Sequence, residues 1–123
     1  MEKVNLEAKF ALFSDHWSPK IAGELNDSYV KLAKVQGEFF WHIHENEDEM
    51  FLIHKGTLTL RLREGDVVLH PGEFYIVPRG VEHCPYAEEE VEMLLLEPKT
   101  TLNSGNVVNE RTVAQLERIL TET

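Results

Sequence analysis

Four residues of this chain have the types and the spacing to hold a transition metal: His42, His44, Glu49 and His83. His42 and His44 close the segment Phe39-Phe40-Trp41-His42-Ile43-His44, whose aromatic and branched residues favour a strand. Side chains at i and i+2 of a strand leave by the same face, so the two imidazoles are expected to project together. The polar loop from Glu45 to Asp48 is short enough for a second strand, starting at Glu49, to return antiparallel and set its carboxylate beside the rings. His83 comes after the tight turn Pro78-Arg79-Gly80. Three imidazoles and one carboxylate suit Mn, Fe, Co, Ni or Zn, whereas Mg and Ca prefer oxygen ligands throughout. A His-x-His pair alone is a weak signal; the addition of Glu49 and His83 makes a ligand set.

The remaining chemistry-bearing residues read as structural. His54 and His70 adjoin turns and read as surface histidines, and His16 lies in a loop. Cys84 follows His83 on the opposite strand face and reads as a small buried hydrophobe. Phe40 and Phe51 share a face with ligands and are expected to wall a pocket. Arg61 and Arg63 lie opposite the leucines of a strand and read as solvated, and Arg79 reads as a surface turn residue.

The two glycine-anchored stretches carry a family resemblance. The first reads Gly37-x4-His42-x-His44-x4-Glu49-x6-Gly56, and resembles the first cupin motif, one residue short between its glycine and first histidine. The second reads Gly72-x5-Pro78-x-Gly80-x2-His83-x3-Ala87 and matches the second cupin motif except that Ala87 stands in place of asparagine, which is not a ligand. The resemblance implies an all-β, cupin-type jelly-roll barrel with one divalent transition metal on His42, His44, Glu49 and His83. It is of the small single-domain kind that also resembles mannose-6-phosphate isomerases, a likeness of fold that names no substrate. Three functions follow from it. The first is a metal-dependent enzyme of dioxygenase, isomerase or lyase chemistry on a small polar or carbonyl-containing molecule, with Glu49 a ligand that also serves as a catalytic base. The second is a non-catalytic module that binds a small molecule. The third, a metal-independent sugar isomerase or epimerase, needs an acid/base pair, and the sequence offers none outside the four ligands.

Composition bounds these readings. The 123 residues suffice for one domain, with a barrel over about 28–98, N-terminal strands in 1–27 and a tail over 99–123. The net charge of −10, from 22 acidic and 12 basic residues, argues against nucleic acid or an anionic membrane as partner. The single cysteine excludes an internal disulfide. No apolar run approaches the ~18 residues that span a bilayer, and the N-terminus has no signal-like apolar core, so a cytoplasmic location is expected.

The elements that must position the site follow from the pattern. Lys20 to Leu25 and Ser28 to Gln36 flank Asn26-Asp27 as a hairpin. Short strands are then expected at 38–44, 49–55, 57–62, 67–69, 74–77, 83–86 and 91–97, separated by glycine and proline turns. Leu58, Leu60 and Leu62 alternate with Thr59 and Arg61 and should be buried. Trp41 and Ile43, opposite the histidines, need a cover, either a second layer of the chain or the partner in a homodimer. Thr112-x-x-Gln115 resembles a capping box, and Val113, Leu116 and Leu120 share a face, which predicts a short C-terminal helix over about 112–121.

Overall fold

The computed structural model describes residues 3–119. One helix, α1 (Leu6–Phe10), precedes eight strands: β1 (Lys20–Leu25), β2 (Ser28–Glu38), β3 (Glu49–Lys55), β4 (Leu58–Leu62), β5 (Val67–Leu69), β6 (Phe74–Val77), β7 (His83–Pro98) and β8 (Glu117–Arg118). The fold is an all-β jelly roll organised on β7. Along one edge β7 pairs antiparallel with β2, from Tyr86 to Pro98. Along its other edge it pairs first with β4, through His83 to Tyr86, and then with β3, through Glu92 to Leu96. The two stretches expected at 83–86 and 91–97 are therefore one strand of 16 residues.

Between its two partners β7 bulges. Gly37 faces Ala87 and Val35 faces Val91, which leaves the acidic run Glu88-Glu89-Glu90 pushed out and exposed. The β3–β4 turn sits against this bulge. Gly56 there has φ of +88°, and a Cβ on it would lie 2.7 Å from the Glu90 carbonyl oxygen. Only a residue without a side chain satisfies both conditions. Inward residues from six strands, including Val35, Phe51, Ile53, Leu58, Leu60, Leu69, Val77, Val91 and Met93, then form one buried cluster. Leu58 and Leu60 are fully buried and Leu62 half-buried, close to the alternation expected of β4.

Three expectations are corrected. The segment 38–44 is not a strand. β2 ends at Glu38, just after the left-handed Gly37, and His42 keeps only an isolated bridge to His83. The N-terminal region is not all strand: Leu6–Phe10 is helical, capped by the Asn5 side chain, which accepts from the Ala8 N–H at 2.9 Å. The C-terminal helix is absent over 112–119; its last two residues lie outside the described ones. The Thr112 hydroxyl does not cap. It bonds Ser104 Oγ at 2.7 Å and accepts from the Asn109 N–H at 2.9 Å, while the Val113 N–H goes to Asn103 Oδ1. Tertiary partners thus take the groups that a helix start needs, and β8 adds in parallel to β1 instead.

Gly56→Ala is expected to destabilise the fold by roughly 1–3 kcal/mol, since it combines a strained φ with a backbone clash. Urea denaturation checks this; an unchanged midpoint would mean that the turn yields freely.

Candidate metal centre

His42 and His83 are joined by two reciprocal backbone hydrogen bonds: His42 N–H to the His83 carbonyl at 3.0 Å, and His83 N–H to the His42 carbonyl at 2.9 Å. The pairing sets the rings side by side, with centroids 4.3 Å apart. The turn of the second motif is tied to the first in the same way, because the Gly80 N–H donates to the His44 carbonyl at 2.8 Å and the Arg79 N–H to Asp48 Oδ1. Glu49 enters at the start of β3, and that strand pairs with β6 and β7 rather than with the histidine segment, as the sequence had suggested. All four side chains are buried, and one ligand atom of each lies within 4.8 Å of the others.

The hydrogen bonding leaves these atoms turned to one another. His42 Nδ1 lies 3.0 Å from the Phe40 carbonyl, and His83 Nδ1 lies 3.0 Å from the Val81 carbonyl. A carbonyl only accepts, so each Nδ1 carries the proton and each Nε2 keeps its lone pair. Glu49 Oε1 stands 3.3 Å from both His44 Nε2 and His83 Nε2. His44 Nε2, His83 Nε2 and Glu49 Oε1 are buried without a hydrogen-bond partner, which is costly for neutral protein and normal for a ligand set. Burial would raise the Glu49 carboxyl, yet the neighbouring His44 and His83 outweigh it and hold Glu49 well below the usual carboxylate range. Burial, aided by the neighbouring His83, pushes His42 from 6.5 to about 4, so its ring is neutral near pH 7.

A cavity with about 40 Å³ of free room opens beside this group. That holds a few waters at ~10–15 Å³ each. Phe51 lines it, as expected; Phe40 does not, and Phe39 does. The parity expected of a strand at 38–44 fails because that segment is not one. Phe39 stacks between Trp17, at 4.9 Å, and Phe40, at 4.0 Å. Trp17 walls the cavity from a left-handed backbone, φ 59°, held by its N–H to the Lys34 carbonyl and its indole N–H to the Gln36 carbonyl. Nothing in the sequence signalled that conformation.

Two charged residues complete the wall, and both were legible by parity. Lys31 shares a face of β2 with Ala33 and Val35, and Glu97 shares a face of β7 with Val91, Met93 and Leu95. Each is almost fully buried, and Lys31 Nζ lies 3.3 Å from Glu97 Oε2. Burial and the neighbouring charge of Glu49 push Glu97 well above the usual carboxylate range, the opposite direction to Glu49. Lys31 and Glu97 thus put two titratable groups outside the four clustered residues into the cavity wall.

The segment after β7 straps the centre. Asn106 accepts the Ile43 N–H on its side chain and returns its own N–H to the Ile43 carbonyl, clamping the residue between the two histidines. Gly105 passes so close that a Cβ would meet the Ile43 oxygen at 2.4 Å and the His42 ring at 3.1 Å. Ile43 is thus covered by its own chain, and Trp41 lies under the Arg63 guanidinium at 3.7 Å, itself paired with Glu82. The faces assigned to a dimer interface are half-buried within one chain. Of the other histidines, His54 stacks on Phe10 and His16 pairs with Glu90. Cys84 is buried, and burial raises its thiol.

The model of the cupin domain matches residues 28–97, more than half of the chain. The chain belongs to the cupin family. Among solved structures, a cupin-2 domain containing protein from Shewanella frigidimarina is 46% identical, with a TM-score of 0.77 over 78% of this cupin and 94% of that chain. A Neisseria meningitidis protein is 26% identical, with a TM-score of 0.72 over 80% of this cupin and all of that chain. The uncharacterized protein YdbB of Bacillus subtilis is 34% identical over 61 residues, 49% of this cupin; the matched region spans about half (54%) of that relative's length. Among the described residues, no helix is long and apolar enough to cross a membrane.

The His42 shift sets a pH dependence. Between 6.5 and about 4 the unfolded imidazole binds a proton that the folded one refuses, so stability falls as pH drops through that window. Metal-free wild type should lose on the order of 3 kcal/mol more than His42→Gln from pH 7 to pH 4. Parallel urea-midpoint profiles for the two proteins would assign the acid sensitivity elsewhere.

Proposed function

We propose that this cupin holds one divalent transition metal on His42, His44, Glu49 and His83, and is a metal-dependent enzyme acting on a small polar or carbonyl-containing molecule. The observation that carries the reading is the set of buried, unpartnered Nε2 and carboxylate atoms facing one another, with the Nδ1 of His42 and of His83 committed to backbone carbonyls. The donor set of imidazoles and a carboxylate fits Mn, Fe, Co, Ni or Zn. Bound there, such an ion supplies a Lewis acid with positions open to a substrate oxygen.

The chain's own groups do the rest. The Nδ1–carbonyl contacts hold the rings of His42 and His83 in one orientation and one tautomer. Glu49, its carboxyl held well below the usual range, is both ligand and candidate base, and Glu97, its carboxyl pushed well above that range, lies beside it. Phe39, Phe51 and Trp17 give the cavity apolar walls. The small, mostly apolar cavity also favours a second reading, a non-catalytic module that binds a small molecule. Reaction type and metal identity separate dioxygenase from isomerase or lyase chemistry within the first reading. A homodimer belongs to the same reading, supported by the exposed apolar Val68, Phe74 and Ile76 on β5 and β6; light scattering giving the mass of a single chain overturns it.

Elemental analysis of protein purified without chelator tests the centre. Near-stoichiometric metal is expected in the wild type and loss of most of it in His42→Ala/His83→Ala. A wild type that also refuses added Mn, Fe, Ni and Zn sinks the metal reading. Glu49→Gln that keeps its metal but loses turnover on a panel of small carbonyl compounds supports the base role, whereas retained turnover removes it. Tight ligand binding with no product from that panel favours the binding module.

A further inference from the structure

The Lys31–Glu97 pair is not explained by the metal centre. The Lys31 ammonium has three donors, and among the described residues its hydrogen-bond partner is Glu97 alone. Their separation of 3.3 Å is long against the ~2.7–2.9 Å of a strong charge-assisted bond. The Tyr29 ring, 6.0 Å from Nζ, adds little. A buried ion pair so loosely made is a poor stabiliser, because apolar residues of similar volume commonly do as well or better. Its place is informative: Lys31 lines the same cavity as His42 and Glu49, among Ala33, Val35, Phe51, Met93 and Leu95. A chain of net charge −10 thus sets a cation with spare donors in the wall of its own pocket.

We propose that Lys31 is the specificity-determining residue of the cavity, and that it anchors the carboxylate of a short-chain monocarboxylic acid. The proposal deepens the reading above and rests on it for the second end of the ligand. The carboxylate completes the ammonium's donors. The apolar stem lies against Phe51, Met93 and Leu95, and any carbonyl or hydroxyl oxygen faces the His42–Glu49 side. The charges agree with this polarity. With a divalent ion on the four ligands, the metal (+2), Glu49 (−1), Lys31 (+1) and Glu97 (−1 or neutral) leave the pocket net positive, which favours an anion over its neutral isostere.

The test titrates acetate and propionate, beside acetamide and propionamide, into wild type, Lys31→Met and Lys31→Met/Glu97→Gln by calorimetry, with the metal content of each sample measured. The double variant removes both charges, so no lone charge remains buried should the single variant fail to fold. Carboxylates are expected to bind wild type at least about tenfold more tightly than the amides, and to lose that preference in the variants while the amides bind as before. A carboxylate preference that survives in the folded variants places the anion on the metal alone and overturns the proposal, as does wild type that binds neither carboxylate at millimolar concentration. Repeating the titration on metal-free protein separates the two readings. Loss of the metal reading appears in the elemental analysis, whereas loss of the Lys31 anchor appears as equal carboxylate binding with and without the lysine.

Discussion

The reciprocal backbone bonds between His42 and His83 are the constraint on which most of this molecule turns. The segment after Glu38 leaves the β2 ladder and has no regular pairing of its own up to Glu49. Those two bonds, with the Phe39 N–H on the Pro85 carbonyl and the Gly80 N–H on the His44 carbonyl, hold it against the start of β7 and the turn before it. They place two imidazoles side by side, so that Glu49, arriving from a different sheet edge, meets both His44 and His83. Without a fixed 39–48 segment, Phe39 would not wall the cavity and Asn106 would have no Ile43 backbone to clamp. An irregular segment serves better than a strand here, because it can aim His42 and His44 inward while still covering one end of the core.

Polar groups are costly to bury, and this interior buries several at once. Two ways of meeting the cost are visible. His42 and His83 each spend Nδ1 on a carbonyl, and His83, like His44, turns its Nε2 to Glu49. The carboxyls are pushed apart, Glu49 below the usual range beside the imidazoles and Glu97 above it beside Lys31. The surrounding apolar cluster keeps the effective dielectric low, which strengthens each of these contacts and penalises any that is missing. The strap that closes over Ile43 reinforces the arrangement from outside, and Gly105 and Asn106 allow an approach that larger residues would block.

The four residues that cluster at the centre and most strands were legible because their signals are local. His-x-His spacing, the glycine turns and the alternation of β4 each act over a few residues. The whole-strand parity of β2 and β7 also contained Lys31 and Glu97, although a charged residue in such a run reads at first as an exposed one. The C-terminal segment misled for the opposite reason. Thr112 and Val113 have a helix signature, but their hydrogen bonds go to Asn103, Ser104 and Asn109, groups that propensity cannot see.

The sequence by itself determined the residue types at the centre, the turns that interrupt the strands and the faces that must be buried, since each depends on side-chain chemistry and short-range geometry. Tertiary structure alone decided which strands became neighbours. It joined two expected strands into β7, changed that strand's partner at the bulge opposite Gly56, and put Phe39 rather than Phe40 at the cavity. It also brought Lys31 and Glu97, 66 residues apart, into contact beside Glu49. The physical reason is that pairing register and burial are set by the whole chain closing on itself, and a local pattern constrains only which side chains are available when it does.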